Sequence, residues 1–164
     1  MRALSVRQPY ATMLVLGLKS SEYRTFPTKV RGKVLVYASS YDPGRQADLE
    51  EEITRLMAEV LELDGEETAS LRREVQENIS ARRAFVGLVE IVDCREDEEE
   101  EGVWEWVIGE SFPFSHPLYP AEPIRPSQVF WNVPDDLLVR IGERVLPLKQ
   151  VIEEEFRLLE EEEE

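Results

Sequence analysis

The sequence predicts an α+β chain: a small β-barrel of about six short strands, with flanking helices and an inserted helical hairpin. Three observations carry that expectation. Apolar and β-branched runs are short, and Pro and Gly punctuate them. Helical spacing is confined to one brief early segment, a pair of segments between residues 42 and 83, and the C-terminus. Short strands with Pro/Gly-rich connections argue for a barrel with peripheral helices rather than a doubly wound sheet.

Arg2 to Val6 reads as the first strand, with Leu4 and Val6 on one side. Pro9 suits the first position of a helix, where its missing N–H would have no partner. Ala11 to Leu16 is apolar almost all round, so this short helix is expected to be buried. Gly17 fits the position past a helix C-terminus, which calls for a left-handed backbone. An extended segment follows, in which Glu22 and Arg24 share one face because they are two apart. Arg31-Gly32 reads as a turn, Lys33 to Ala38 as a strand, and Tyr41-Asp42-Pro43-Gly44 as a further turn. Asp48 to Leu63 and Thr68 to Arg82 carry apolar residues at helical spacing and form the hairpin. Ala84 to Cys94 is a buried strand, with Gly87 marking a bulge or the close approach of another backbone.

Residues 95–101 are an acidic loop, read as a solvated charge run. Val103 to Ile108 is a strand with Trp104, Trp106 and Ile108 on one face. Residues 111–127 hold five prolines and read as a long ordered loop. Phe130 to Val133 and Leu138 to Leu148 read as the last strands. The expected organisation is one domain over residues 1–149, with the helical insertion at 42–83, then an acidic helix or tail at 150–164.

Charge is distributed unevenly. Residues 1–45 hold eight Lys/Arg against two acids, Glu22 and Asp42, a local +6 in a chain of net −16. The remainder therefore carries −22, with 11 basic residues against 33 acidic ones. A basic front on an acidic body points to an anionic partner. The overall charge argues against sequence-blind binding to long duplexes, which the body would repel. No apolar run approaches the roughly 20 residues of a membrane span. The N-terminus lacks the apolar run of a signal peptide, and the lone Cys94 has no partner for an internal disulfide, so a cytoplasmic location is expected. His116 is the only histidine, so no zinc set is expected, and the eight glycines form no phosphate loop. No metal or cofactor is expected.

The front of the chain resembles a known family. Ser5, Arg7-Gln8-Pro9 and Tyr10 are followed by Gly17, Lys19, Glu22 and Arg24, then by Arg31-Gly32 and a strand ending Ala38-Ser39. Gly87 and Glu90, Val103-Trp104-x-Trp106 and Gln128-x-x-Trp131-x-Val133 fit the same pattern. Over most of residues 2–133 the chain resembles an ASCH domain. The resemblance implies a PUA-like fold, a small, mostly β barrel with flanking helices. It also implies a cleft beside Gly17 to Arg24.

Two kinds of chemistry are in prospect. Arg7, Lys19, Arg24, Arg31 and Lys33 offer cationic donors for phosphate, the arginines in a bidentate fork. Tyr10, Tyr23 or Trp131 offer rings on which an unpaired base could stack, or else pack in the core. Glu22 is either an acceptor for a base amino group or an ion-pair partner that orders the loop. On this basis the partner is RNA or a nucleotide-like ligand. The alternative is hydrolysis. Some ASCH-like proteins resemble amidohydrolases that remove the acetyl group of acetylcytidine with a lysine, a threonine and a glutamate; others resemble ribonucleases acting on single-stranded RNA. Lys19 matches the lysine and Glu90 the glutamate, with Glu22 in the threonine position, where a carboxylate does not supply what a hydroxyl does. Glu90, among apolar neighbours on a strand, must be paired or face a cleft; pairing with Lys19 or Arg24 is the expected arrangement.

Overall fold

The computed structural model describes residues 1–41, 65–122, 124–126 and 128–142, with isolated positions at 48, 51, 55, 161 and 162. The chain divides into two compact units, Met1–Asn132 and Val133–Glu164. The first contains, in order, β1 (Arg2–Gln8), α1 (Tyr10–Val15), β2 (Ser21–Arg24), β3 (Gly32–Tyr41), α2 (Gly65–Ser80), β4 (Ala84–Glu96), β5 (Trp104–Leu118) and β6 (Phe130–Asn132). The strands form one sheet in the order β2-β5-β4-β3-β1-β6. β1 and β3 run parallel and the other neighbours antiparallel.

The sheet curls into a half-barrel. β5 and β6 lie four steps apart in it, which in a flat sheet would separate them by about 19 Å. Yet the rings of Trp106 on β5 and Phe130 on β6 stack with centroids 5.4 Å apart. Arg24 on β2 likewise reaches β1, its Nη2 donating to the Ser5 carbonyl at 3.1 Å. Among the described residues the seam between β2 and β1 is thus spanned by side chains and not by a backbone ladder. Inside the curl lie Leu4, Val6, Val34, Val36, Val89 and Trp106. Alternation along the strands sends these side chains inward.

The α1 helix crosses the concave side, burying Ala11, Leu14 and Val15. Gly87 makes that crossing possible. A Cβ there would lie 2.7 Å from Val15 Cγ1 and would strike the Phe112 carbonyl. Both the bulge and the close approach expected of Gly87 are present, since the ladder slips between Phe85 and Gly87. The α2 helix packs Val75 and Ile79 against Met13, Leu16 and Leu18.

A buried polar cluster fixes that helix to the sheet. Gln8 Nε2 donates to the carbonyls of Asn78 (2.9 Å) and Ala81 (3.3 Å), and Gln8 Oε1 accepts the Thr12 N–H at 3.2 Å. Thr12 Oγ1 lies 2.8 Å from Asn78 Oδ1 and 3.0 Å from Gln8 Oε1, and Asn78 Nδ2 donates to the Val86 carbonyl at 3.1 Å. Gln8, Thr12 and Asn78 are all buried. Each finds in the others what water would otherwise supply.

The expected six-stranded α+β architecture is present, with two differences. Residues 111–118 belong to β5 and not to a proline-rich loop. β2 covers only Trp104 to Val107 of β5, and among the described residues no strand pairs with β5 on that side beyond this point. Pro113 and Pro117 are tolerated there because no ladder N–H is required, and Pro113 sits opposite the slipped Gly87. In the second unit, residues 135–142 are helical, so the strand expected from Leu138 is replaced over 138–142. Pro134 and the acids Asp135 and Asp136 favour a helix start, and a short apolar run does not by itself separate strand from helix. The second helix of the hairpin is α2. Asp48 to Leu63, apart from three isolated helical positions, lies outside the described residues, as do residues 143–160.

Two substitutions test this packing. Gly87→Ala should lower stability by roughly 1–3 kcal/mol, because the group it strikes is backbone. Asn78→Ala should cost roughly 1–3 kcal/mol by removing the donor to the Val86 carbonyl and leaving the Thr12 hydroxyl with Gln8 alone. Urea midpoints with unchanged slope check both.

Candidate functional site

The loop between α1 and β2 places the first two charges. Gly17 adopts φ +75°, as its position past the helix required. The amides of Leu18 and Lys19 both donate to the Met13 carbonyl, at 3.0 and 3.2 Å. This clamp turns the chain out of α1 and into β2. Lys19 Nζ then reaches Glu22 Oε1 at 3.2 Å, with the rings of Tyr10 and Tyr23 at 5.2 and 5.9 Å from the ammonium. Two π faces and a carboxylate hold the lysine in one place.

Glu22 is the centre of the cluster. It pairs in the ladder with Trp106 and is only 6% exposed. A carboxylate so buried needs compensation. Oε1 receives it from Lys19 and from the Tyr23 N–H at 3.2 Å. Oε2 has Arg24 Nη2 at 3.8 Å, close enough for charge attraction and too far for a hydrogen bond, and it accepts none. Arg24 lies over the Trp106 ring at 5.6 Å. Tyr23 itself is 48% exposed, and its hydroxyl donates to Glu105 Oε2 at 3.1 Å. That hydrogen bond to a carboxylate holds the phenol above the usual tyrosine pKa. Glu105 is in turn held low, first by the Arg95 guanidinium 2.6 Å away.

A cleft of about 470 Å³ opens beside this cluster, along the seam between β1 and β2. Arg7, Tyr10, Glu22 and Arg24 line it, facing Gln128 and Val129. Its size falls in the range of roughly 300–1,000 Å³ usual for small-ligand sites. Arg7 is exposed, and no carboxylate lies within ion-pair distance of it among the described residues. Four of the expected binding residues thus meet in one hollow, and Lys19 braces it through Glu22 while lining none of it itself.

The other three expected binding residues and Glu90 lie elsewhere. Arg31 folds back on its own loop, donating to the carbonyls of Thr28 (3.0 Å) and Val30 (2.9 Å), with Asp93 at 4.0 Å. Lys33 stands over the Phe112 ring at 5.5 Å. Trp131 donates to Ser5 Oγ at 3.0 Å and packs its ring against Tyr37 and Phe85, a structural role. Glu90 is opposite Lys33 in the ladder, between Val89 and Ile91, which point into the core. Alternation therefore turns Glu90 to the other face of the sheet. Lys19 and Arg24 pair with Glu22 and not with Glu90, because Glu22 belongs to their own segment and lies on their side of the sheet. Ser5 and Gln128 line the cleft without having been given a role from sequence. Both stand in the motif pattern, which was the available signal. No group of three or more potential metal ligands occurs among the described residues. No helix among them is long and apolar enough to cross a membrane.

Glu22→Ala should destabilise the fold by roughly 2–3 kcal/mol, because it leaves Lys19 and Arg24 without their shared anion. Glu22→Gln, which keeps the shape and one acceptor, should lose less than half as much. Chemical denaturation of both variants at neutral pH provides the comparison.

Among solved structures, the chain is similar to the ASCH protein from Zymomonas mobilis, with 10% identity and a TM-score of 0.49, covering 87% of this chain and 93% of that one. A tyrosine-to-phenylalanine variant of that protein gives 9% identity and 0.48 over 87% and 96%. A serine-to-alanine variant gives 10% and 0.47 over 87% and 94%. No curated protein matches the chain in sequence. The family model described as ASCH domain matches residues 4–130, which include β1 from Leu4, the whole of β2 to β5, Phe130 of β6 and the whole of the cleft. With its curled six-stranded sheet and this match over most of its length, the chain belongs to the ASCH domain family.

Proposed function

We propose that the chain binds a nucleotide-like ligand or a short single-stranded segment of RNA in the cleft along the β1–β2 seam. The observation that carries this reading is the pairing of Arg7 and Arg24 with the Tyr10 ring around one hollow. Arginine offers planar donors to phosphate, and a tyrosine ring offers a stacking face for a base. Arg24 spends one N–H on the Ser5 carbonyl among the described residues. Arg7 is engaged with no described carboxylate. The acidic remainder of the chain, net −22 outside residues 1–45, favours a compact local ligand over a long duplex.

Hydrolysis of such a ligand is the second reading, supported by the Lys19–Glu22 contact of 3.2 Å at the edge of the cleft. With Glu90 on the opposite face, Glu22 is the carboxylate that would serve. Turnover of acetylcytidine or cleavage of short RNA, lost in Lys19→Met, would select this reading over binding alone.

Arg7 provides the test of binding, since it lines the cleft and its removal breaks no described ion pair. Arg7→Ala should weaken binding of a short single-stranded oligoribonucleotide by about tenfold, without loss of stability. The slope of log affinity against log salt should also become shallower, by about 0.7 for each phosphate that Arg7 neutralises. Fluorescence anisotropy across a salt series measures both. Unchanged affinity and slope would count against the cleft as the binding site.

A further inference from the structure

A second hollow, of about 620 Å³, adjoins the cleft, and Gln128 lines both. Arg2, Phe130 and Asn132 also line it, with Val30 from the segment that leads into β3. The ladder sets this arrangement. Asn132 is opposite Arg2 and Phe130 opposite Leu4, and the Ser5 N–H donates to the Val129 carbonyl at 3.0 Å. Residues 128–132 therefore run beside β1 without a break, and one stretch of chain walls both hollows. Phe130 and Asn132, two apart, project from the same face of it.

The chemistry of the second hollow differs from that of the cleft. The cleft has Glu22 in its wall; among the described residues no acid lines the second hollow, in a chain with 35 of them. Its cation, Arg2, is exposed and forms no ion pair among the described residues. Gln128 and Asn132 are exposed too, and neither commits its side-chain amide to a described partner. The Phe130 ring is half-buried, and one of its faces is stacked on Trp106 with 15° between the planes. A ring fixed from behind in this way is a platform for an unpaired base, and such stacking tolerates any base. Arginine donates to phosphate, and amides both donate and accept. Arg2 and Arg7 are separated by five residues of β1, about 16 Å of extended chain. One nucleoside monophosphate does not reach from the first to the second; successive nucleotides of a strand do.

We propose that the second hollow is the subsite for a neighbouring nucleotide of a single strand. Arg2 takes a phosphate, Phe130 stacks the base, and Gln128 and Asn132 hydrogen-bond its polar groups or those of the sugar. This rests on the binding reading above and, between a nucleotide and a strand, selects the strand.

The test compares adenosine monophosphate with a six-residue oligoadenylate, on the intact chain and on Arg7→Ala, Arg2→Ala and Asn132→Ala. The intact chain should bind the oligomer at least about tenfold more tightly than the monophosphate. Arg2→Ala should weaken the oligomer about tenfold and make its salt slope shallower by about 0.7. Asn132→Ala should weaken it about threefold with the slope unchanged. Neither should alter binding of the monophosphate, which Arg7→Ala lowers. Urea midpoints equal to that of the intact chain separate these losses from unfolding. If Arg7→Ala weakens the oligomer while Arg2→Ala and Asn132→Ala do not, the subsite is overturned and the cleft stands. Loss in only one of those two variants also overturns it, since Arg2 alone would act by long-range attraction and Asn132 alone would leave the strand's phosphate elsewhere. Binding of neither ligand by the intact chain removes both readings.

Discussion

Trp106 holds the curl of the sheet together. Its ring is fully buried, stacks on Phe130 from the far side of the sheet, and meets Phe26 edge-on at 5.5 Å. Its indole N–H donates to the Phe26 carbonyl at 3.1 Å, so the polar atom of a buried residue is satisfied. The Arg24 guanidinium also lies over the ring, 5.6 Å from its centroid. One side chain thus joins the two ends of the sheet and positions a cation of the site. A flatter sheet would carry β2 away from β1, and the hollow between them would not exist.

The rigidity of the site's other wall comes from the Gln8–Thr12–Asn78 cluster. Gln8 ends β1, Thr12 is on α1 and Asn78 is near the end of α2. Their mutual hydrogen bonds fix the start of α1, where Tyr10 faces the cleft. A buried network of this kind specifies one arrangement of the elements it connects, because any slip leaves polar groups stranded. The C-terminal clamp on the Met13 carbonyl performs the same service at the other end of α1 for Lys19. Both ends of one short helix are therefore pinned, and each end delivers a side chain to the same cluster.

Electrostatically the site is a compromise. Glu22 draws Lys19 and Arg24 to the seam, but a buried carboxylate also lowers the positive potential that phosphate would meet. Lys19 and Arg24 against Glu22 leave one net positive charge, and Arg7, outside that network and lining the cleft, adds a second. On the binding reading proposed above, a carboxylate and an unpaired arginine in one cleft would distinguish between the two ends of a ligand better than a uniformly basic patch.

Much of this was legible in the residues. The positive φ of Gly17 and the shared face of Glu22 and Arg24 follow from steric and periodic rules that act within a few residues, and the sequence determined them unaided. So did the strands from Gly32 and Ala84, whose apolar runs have no other stable use. The family pattern brought Lys19, Glu22 and Arg24 forward for the same reason: they sit close together in the chain. What only the tertiary structure decided depends on which side of a curled sheet a residue faces and on which strand it lies beside. Glu90 and Lys33 were drawn into the site by chemistry and removed from it by register. Pro113 and Pro117 became strand residues because β2 is too short to require their missing N–H groups. Trp131 turned inward to Tyr37 and Phe85. Gln128 came to the cleft from more than a hundred residues downstream of Arg24. Local sterics are written along the chain; facing and distance are set only when separate strands pair, and no single segment contains that information.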